Sequence, residues 1–428
     1  MSFGLAFTYL MSYGGAVVAL ANPFVGLLVY VCFAILRPGG GLWYWSVPVG
    51  GDFSKILAIG LLVGWAAHGF GDWRFGRAKL IVIALLLYLA WCAFSATQAL
   101  IPVVAWGYVE DQAKTILPVI VGATLIDSVR KLKQLTWVIL VSHGYVAFEL
   151  NLNYFSGFNR LWEIGFGFMD NNCVAITLVS CTGLGISICL GAPRIWQKGL
   201  AAVCVAWMIH AILFSFSRGG MLGLVLVAIL SFLLIPRRPI HYAILALGAG
   251  LTLAAAGNDV TKRFMSTFAE EEKRDASSES RLKLWEICLD VTADNPVIGL
   301  GPHHFPVHAS SFGLTAGKEA HTTWLQLAAE IGIPGVALLL VFFLGVVIQL
   351  WPVARESYPV PDPWLRLTAR MVIASIVGFV FTAQFVTLPG LEAPYFIVLL
   401  GVGTIRLLSV PDLVSAPDTT THDGSRPE

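Results

Sequence analysis

The sequence predicts an all-α polytopic membrane protein, with twelve or thirteen transmembrane helices and one large extramembrane loop. Three observations predict it. The 428-residue chain is 57% hydrophobic and only 12% charged, about half the charge fraction of a soluble domain, and its mean hydropathy is +0.76. Apolar stretches long enough to cross a bilayer recur from end to end. The loops between them alternate between cation-rich and cation-poor. Such a chain cannot hide its apolar surface in one water-soluble core.

A spanning helix needs about 17–25 mostly apolar residues. Candidate stretches are 3–20, 23–36, 55–71, 79–97, 108–126, 134–150, 171–191, 198–215, 219–235, 240–256, 331–351, 367–388 and 393–409. The first two meet at Asn22-Pro23, and Pro23 breaks or kinks a helix. Residues 3–36 therefore make either one crossing plus a half-helix or two crossings.

Cations set the orientation, because cytoplasmic loops are enriched in Lys and Arg. Arg74, Arg77 and Lys79 share one loop; Arg130, Lys131 and Lys133 share the next such loop; Arg194 and Lys198, Arg237 and Arg238, and Arg355, Arg366 and Arg370 follow. Placing these five in the cytoplasm puts 37–54, 151–170, the turn near Arg218 and the segment 257–330 on the outer side. One crossing over 3–36 makes twelve in all with both termini cytoplasmic; two put the N-terminus outside. The chain thus divides into N-terminal membrane helices (1–256), the large loop (257–330), C-terminal membrane helices (331–409) and a polar tail (410–428) expected to be disordered and cytoplasmic.

The formal net charge of +1 carries no basic block, so nucleic acid is not an expected partner. Six of the seven cysteines (Cys32, Cys92, Cys173, Cys181, Cys189, Cys204) lie in apolar runs and only Cys288 in a polar segment, a scattered odd set that reads as small apolar filler. The N-terminus lacks the basic region and cleavage site of a signal peptide, so no processing is expected.

The large loop opens on a charge run, Glu270-Glu271-Glu272-Lys273-Arg274-Asp275, read as solvated chain. A helix is expected near 279–293, capped by Ser278 or Ser280 and ended by Asn295-Pro296. Arg281, Trp285 and Leu289 recur every four residues and are expected to share a face, flanked by Leu282 and Cys288. Pro334 marks the next membrane helix.

Polar chemistry gathers on the outer side. Arg218 sits between two membrane stretches with almost no loop, before Gly219-Gly220. A cation there either anchors at headgroups or meets an anion. Arg281 either pairs with Glu279 or faces the membrane surface, where two guanidinium forks can clamp a diphosphate. His321 is either polar packing or a general base. His304 and His308 have a helical metal spacing, but Pro306 intervenes and no carboxylate joins them, so no metal site is expected. Asp170-Asn171-Asn172 caps the helix at 171 or lines a site. Glu110, Asp111, Lys114 and Glu149 also fall at outer ends of their stretches.

These residues resemble the O-antigen ligase and polysaccharide polymerase superfamily. The likeness is carried by Ser217-Arg218-Gly219-Gly220, by Arg281 with Trp285, by Asn295-Pro296-Val297-Ile298-Gly299-Leu300-Gly301-Pro302, and by Ala320-His321-Thr322-Thr323-Trp324-Leu325-Gln326 through Glu330-Ile331-Gly332-Ile333-Pro334-Gly335. Each motif alone is weak; in this order they are specific, over about 160–345. Asn22-Pro23-Phe24-Val25-Gly26-Leu27-Leu28 and Arg37-Pro38 before Leu42-Trp43 resemble the exosortase-associated O-glycosylation ligase branch.

The resemblance implies an inverting, metal-independent glycosyltransferase of the C-type membrane fold, without cofactor, in a bacterial inner membrane with a periplasmic active face. Its donor would be a glycan on polyprenyl (undecaprenyl) pyrophosphate, and its acceptor a lipid, protein or glycan hydroxyl. Arg218 and Arg281 would hold the pyrophosphate, with the polyprenyl tail lying between helices among membrane lipids. His321 would take or orient the acceptor proton. Asp170, Asn172, His303 and His304 are candidates to line the substrate site. Relatives carry smaller or amide residues at His303-His304 and often Asn at Thr322, which leaves the acceptor open. A repeat-unit polymerase shares this chemistry. A transporter or flippase would place its polar groups at the bilayer midplane in repeated halves, which this sequence does not show, and a scaffold in an export complex would need none of these side chains.

Overall fold

The computed structural model describes residues 2–48, 50–236, 238–266, 276–388 and 391–410, and side chains of its loop helix from 280 onward. The charge run 270–275, Arg237, the side chains of Ser278 and Glu279, and the tail beyond 410 lie outside the described residues.

Among the described residues the chain is helical, with one isolated bridge, Phe166 to Met169, in place of any strand. The long helices are α1 (Phe3–Ala21, with a π turn at Leu10–Gly14), α2 (Pro23–Leu36), α3 (Phe53–Ala67), α4 (Lys79–Ala96), α5 (Pro102–Leu125), α6 (Val129–Phe155), α7 (Asn171–Gly191), α8 (Ile195–Phe214), α9 (Arg218–Leu234), α10 (Pro239–Met265), α11 (Ala276–Asp294), α12 (Thr323–Leu350), α13 (Pro363–Thr382) and α14 (Ala393–Ser409). Eight spans are long and apolar enough to cross a membrane; α2, α3, α9 and α14 are apolar but shorter. The charges Glu110, Asp111 and Lys114 interrupt the apolar run of α5, which at 24 residues is long enough by length. All seven cysteines are unpaired.

Close glycine contacts fix how the first helices run. The chain turns at Asn22, whose Oδ1 accepts from the N–H groups of Phe24 and Val25 while Pro23 starts α2. Gly26 then abuts Ala19, and Gly15 abuts Val29. Residues 3–36 are therefore two antiparallel helices, of which the second, at 14 residues, is shorter than a full span. Gly60 meets Ala16 and Gly64 meets Ala19, so α3 runs alongside α1 in the same direction. Beyond α3 the helices continue to alternate, as Gly144 against Cys204 and Gly223 against Thr382 show for later pairs.

One end of the bundle gathers the cation-rich turns. There Arg406, fully buried on α14, donates to the carbonyls of Ala123, Ile126 and Arg74 and pairs with Asp72 at 3.3 Å. The other end carries the segment 276–330 as a small cap with its own core, Leu284, Cys288 and Val291 of α11 against Phe305, Ala320 and Ala329. The buried stripe of α11 is thus Leu284/Cys288/Val291, with Leu282 and Leu289 exposed. The expected Arg281/Trp285/Leu289 face is rotated, because the cap core lies on the i, i+4, i+7 side. α11 also begins at Ala276, three residues before the expected start.

The cap is joined to the bundle at a break in α12. Gly332 has φ 71° and ψ 175°, a conformation open essentially only to glycine, and Pro334 follows without an N–H. The backbone groups freed by the break are taken up by residues 296–301. Leu300 and Gly301 donate to the carbonyls of Ala329 (3.0 Å) and Glu330 (2.8 Å), and Ile333 donates to Pro296 (2.9 Å). Trp91 Nε1 donates to Ile331 O (2.8 Å) and Ser95 Oγ to Ile298 O (2.8 Å), which ties the join to α4. The helix therefore restarts earlier than the sequence indicates: a short piece, 323–331, precedes Pro334 and belongs to the cap. Trp324 and Leu325 face protein: Trp324 Nε1 donates to Val380 O (2.9 Å) and Leu325 packs on the cap core.

A Cβ at Gly332 would stand 2.0 Å from the carbonyl oxygen of Val297, whereas one at Gly345 on the same helix meets only Ile81 at 3.5 Å. Gly332→Ala is expected to cost at least ~1–3 kcal/mol through the backbone conformation alone. The purified protein should melt several degrees lower, while Gly345→Ala stays within ~0.5 kcal/mol of the parent.

Candidate functional site

A cleft of about 340 Å³ opens between the cap and the bundle end. Arg218, Arg281 and His321 all line it, joined by Arg263, Lys318, Asn171, Asn172 and Ser280. Arg218, Arg263, Arg281 and His321 come from four different elements, and each is placed by local chemistry.

Arg218 is the first residue of α9. Ser217 caps that helix, its Oγ accepting from Gly220 N–H (3.2 Å), and Ser215 Oγ accepts from Ser217 N–H (3.1 Å). The glycines after Arg218 permit close packing. A Cβ on Gly219 would stand 3.0 Å from Phe385, and one on Gly220 2.8 Å from Ala175. The start of a helix favours anions through its dipole and its N–H groups, and here an arginine stands at it.

Arg281 projects from the first part of α11, on the side of the Leu284/Cys288/Val291 stripe that seats this helix. Arg263 lies on α10 beyond a second glycine break, Gly257 (φ 64°). Its Nε donates to Phe216 O (3.4 Å), linking α10 to the turn before Arg218. The expected loop thus begins with further helix, and this extra turn brings Arg263 to the cleft.

His321 precedes α12 and has φ 52°, in the left-handed region. Gln326, buried one turn into α12, holds it. Gln326 Oε1 accepts from Ala320 N–H (2.9 Å) and Thr387 Oγ (2.8 Å), while Nε2 donates to Glu330 Oε1 (3.0 Å). The Glu330 carboxylate also accepts from the N–H groups of His303 (3.1 Å) and Phe305 (3.2 Å). The network that closes the break in α12 therefore also sets the backbone on either side of His321.

Among the described residues the cleft lining has four cationic side chains and no carboxylate. Burial, then Lys318, then Arg281 hold the His321 imidazole below its ordinary pKa, with Asp170 acting in the opposite sense. Glu319, next to His321 in sequence, is held above the ordinary carboxylate range by burial and then by Asp170.

The other sequence candidates fall in three places. Asn172 lines the cleft. Asp170 caps α7, its Oδ1 accepting from Cys173 N–H (2.8 Å) and its Oδ2 from Asn172 Nδ2 (3.3 Å). It acts on His321 through its charge rather than as a lining side chain. His303 and His304 stand away from the cleft. His303 stacks on Tyr108 (ring centroids 6.4 Å apart) and faces a separate interior cavity with Glu330. Burial and His304 hold it below its ordinary pKa. His304 is fully buried, and Ile101 N–H donates to its Nε2 (3.0 Å), so Nδ1 carries the proton and donates to Pro302 O (2.8 Å). Both ring nitrogens are engaged with backbone, which suits a strut between α5 and the cap and leaves no lone pair for a metal or a substrate.

Sequence reasoning passed over Arg263 and Lys318 as site residues. Lys318 stands three residues before His321, and Arg263 ends a Lys262-Arg263 pair at the start of the loop. Either signal was readable but had no partner until the fold supplied one. Asn171 does a second job, donating to Ser215 O (2.7 Å) and tying α7 to the turn before Arg218.

Comparison with known proteins agrees with this geometry. Residues 4–153, α1 through most of α6, match a family of unknown function, DUF5935. No curated protein matches the chain. Residues 203–340, which include every cationic residue of the cleft and His321, match the family described as O-antigen ligase. Each match covers less than half of the chain, and it is over the second, residues 203–340, that this membrane protein is similar to the O-antigen ligases.

Proposed function

We propose that the chain is a membrane glycosyltransferase that moves a glycan from polyprenyl pyrophosphate to an acceptor hydroxyl at the cleft end of the bundle, facing the periplasm. The observation that carries this reading is the meeting of Arg218, Arg281 and His321 in one cleft, from positions 63 and 40 residues apart. The orientation rests on charge, since the opposite end collects the arginine- and lysine-rich turns expected on the cytoplasmic side.

In this reading Arg218 and Arg281 grip the pyrophosphate, with Arg263, Lys318 and the start of α9 adding to the same field. The acceptor oxygen attacks the anomeric carbon from the side opposite the phosphate. The new C–O bond forms as the glycosyl–phosphate bond breaks, and polyprenyl pyrophosphate leaves with the electron pair. Preorganised cations stabilise that charge as it develops, a contribution often of ~10²–10³ in rate per group. Pyrophosphate needs little protonation to leave. The acceptor proton passes to neutral His321, whose depressed pKa keeps it unprotonated at neutral pH.

The test is transfer from a defined undecaprenyl-pyrophosphate glycan by the purified protein in nanodiscs, with products sized. Arg218→Ala, Arg281→Ala and His321→Ala should each reduce transfer by at least ~10²-fold while the protein still inserts and melts normally. Full transfer by all three would sink the mechanism. Addition of a single glycan to a separate acceptor marks a ligase, and a ladder of repeat lengths without one marks a polymerase.

The pH profile gives an independent check. The neutral imidazole is the active form, so activity should be full at neutral pH and fall only in acid, below the usual histidine range near 6.5. Lys318→Met removes a charge that lowers the His321 pKa, so the acid limb should move to higher pH; Asp170→Asn removes one that raises it, so the limb should move lower. Gln326→Leu leaves the Ala320 N–H without its buried partner, at ~1–3 kcal/mol, and removes one of the two donors to Glu330 Oε1. It should lower both the melting temperature and kcat, whereas Gln326→Asn, which keeps the amide, should recover part of each.

A further inference from the structure

A larger cavity lies outside the cleft, in the part of the chain whose matching family has no known function. It is a groove of about 1100 Å³ between α2, α3 and α5. α2 packs along both neighbours, while α3 and α5 touch only briefly and so leave the groove open between them.

Its polarity is graded. At the cleft end of the bundle it is lined by Asp52, Lys55, Glu110, Asp111 and Lys114. One to two helical turns further in, it is lined by Ala58, Ile59, Leu62, Leu117 and Pro118. The charged side chains of α5 are far from buried: Glu110 is 69%, Asp111 67% and Lys114 61% exposed, although Lys114 lies within 2.9 Å of Glu110 and 3.1 Å of Asp111. Charges on a helix of a membrane bundle are costly unless they meet water, a headgroup or each other. Here they stand level with the start of α3, where Asp52 makes no capping bond and Asp52, Phe53, Ser54 and Lys55 line the groove. Such a helix start favours an anionic group.

We propose that this groove binds one zwitterionic aminophospholipid of the leaflet at the cleft end. Its phosphate would lie on Lys55, Lys114 and the start of α3, its ammonium against Glu110 and Asp111, and an acyl chain along Ile59, Leu62 and Leu117. The assignment follows from charge complementarity, since cations and carboxylates alternate at the polar end, and from the match of the gradient to a bilayer lipid's own head-to-tail order. It does not depend on the glycosyl-transfer reading. The groove is nevertheless next to the cleft. Its wall is the hairpin Gly167–Met169, clamped by Arg37 Nη1 on Gly167 O (2.7 Å) and by Gly167 N–H on Gly40 O (3.1 Å), and the same hairpin leads directly into Asp170–Asn172.

The experiment is native mass spectrometry of the full chain, stripped in excess detergent and then offered phosphatidylethanolamine or phosphatidylglycerol. The parent should retain one phosphatidylethanolamine, at least tenfold more tightly than phosphatidylglycerol. Ala58→Trp fills the groove and should abolish retention, whereas Val63→Trp, at an exposed position on α3 outside the groove, should leave it unchanged. The double variant Lys55→Ala/Lys114→Ala should weaken it at least tenfold, and decides the matter if Ala58→Trp melts at lower temperature than the parent. Equal retention by parent, Ala58→Trp and the double variant would overturn the site. Phosphatidylglycerol retained as tightly as phosphatidylethanolamine would overturn the zwitterion.

Discussion

The structure depends on how it mends the break in α12. A membrane protein cannot leave backbone groups unpaired away from water, yet Gly332 and Pro334 interrupt the helix where cap and bundle meet. The remedy is long-range. Residues 296–301 lie across the gap and take its carbonyls and N–H groups, α4 adds Trp91 and Ser95, and Glu330 ties down His303 and Phe305. Once that join is made, the cap cannot swing freely, because its two chain segments are bonded to the same helix. The break is thus also the device that aims α11 and the start of α12 at the bundle end.

The cleft follows from that join together with helix-end chemistry. Three of its contributors stand beside a backbone irregularity: Arg218 after Phe216 (φ 55°), Arg263 after the Gly257 break, and His321 in its own left-handed turn. Regular helices carry side chains on their flanks, whereas breaks and caps aim them along the axis into the space where elements end. The fold brings four cations to this one place, each on a backbone fixed by its own packing and hydrogen bonds. Such an arrangement suits a ligand with several negative charges.

The two matched segments divide the molecule physically as well. The segment 203–340 supplies the cationic cleft. The segment 4–153 supplies most of the graded groove, and the Gly167–Met169 hairpin separates the two. A polar head in the groove and an anion in the cleft would sit on opposite sides of one thin wall, whose continuation carries Asp170, a residue that bears on the His321 charge state.

Much of this was legible in the sequence, and the reason is local. Hydropathy determined the all-helical membrane class. Proline marked Asn22-Pro23 as irregular and Pro334 as the start of a membrane helix, and the outward arginines with His321 stood out because charge is scarce in such a chain. What the sequence left open depended on partners distant along the chain. Whether 3–36 doubled back rested on small residues meeting across the turn, Ala19 on Gly26 and Gly15 on Val29. The buried face of α11 rested on where the cap core lay, so periodicity alone chose the wrong stripe. His304 was a candidate to line the substrate site until Ile101 and Pro302 took both its nitrogens, and Arg263 and Lys318 looked like ordinary loop cations until the cleft gathered them. Composition and spacing decide which segments are helical and which residues are unusual. Only tertiary packing decides which unusual residues meet, because their neighbours come from segments that the local pattern does not connect.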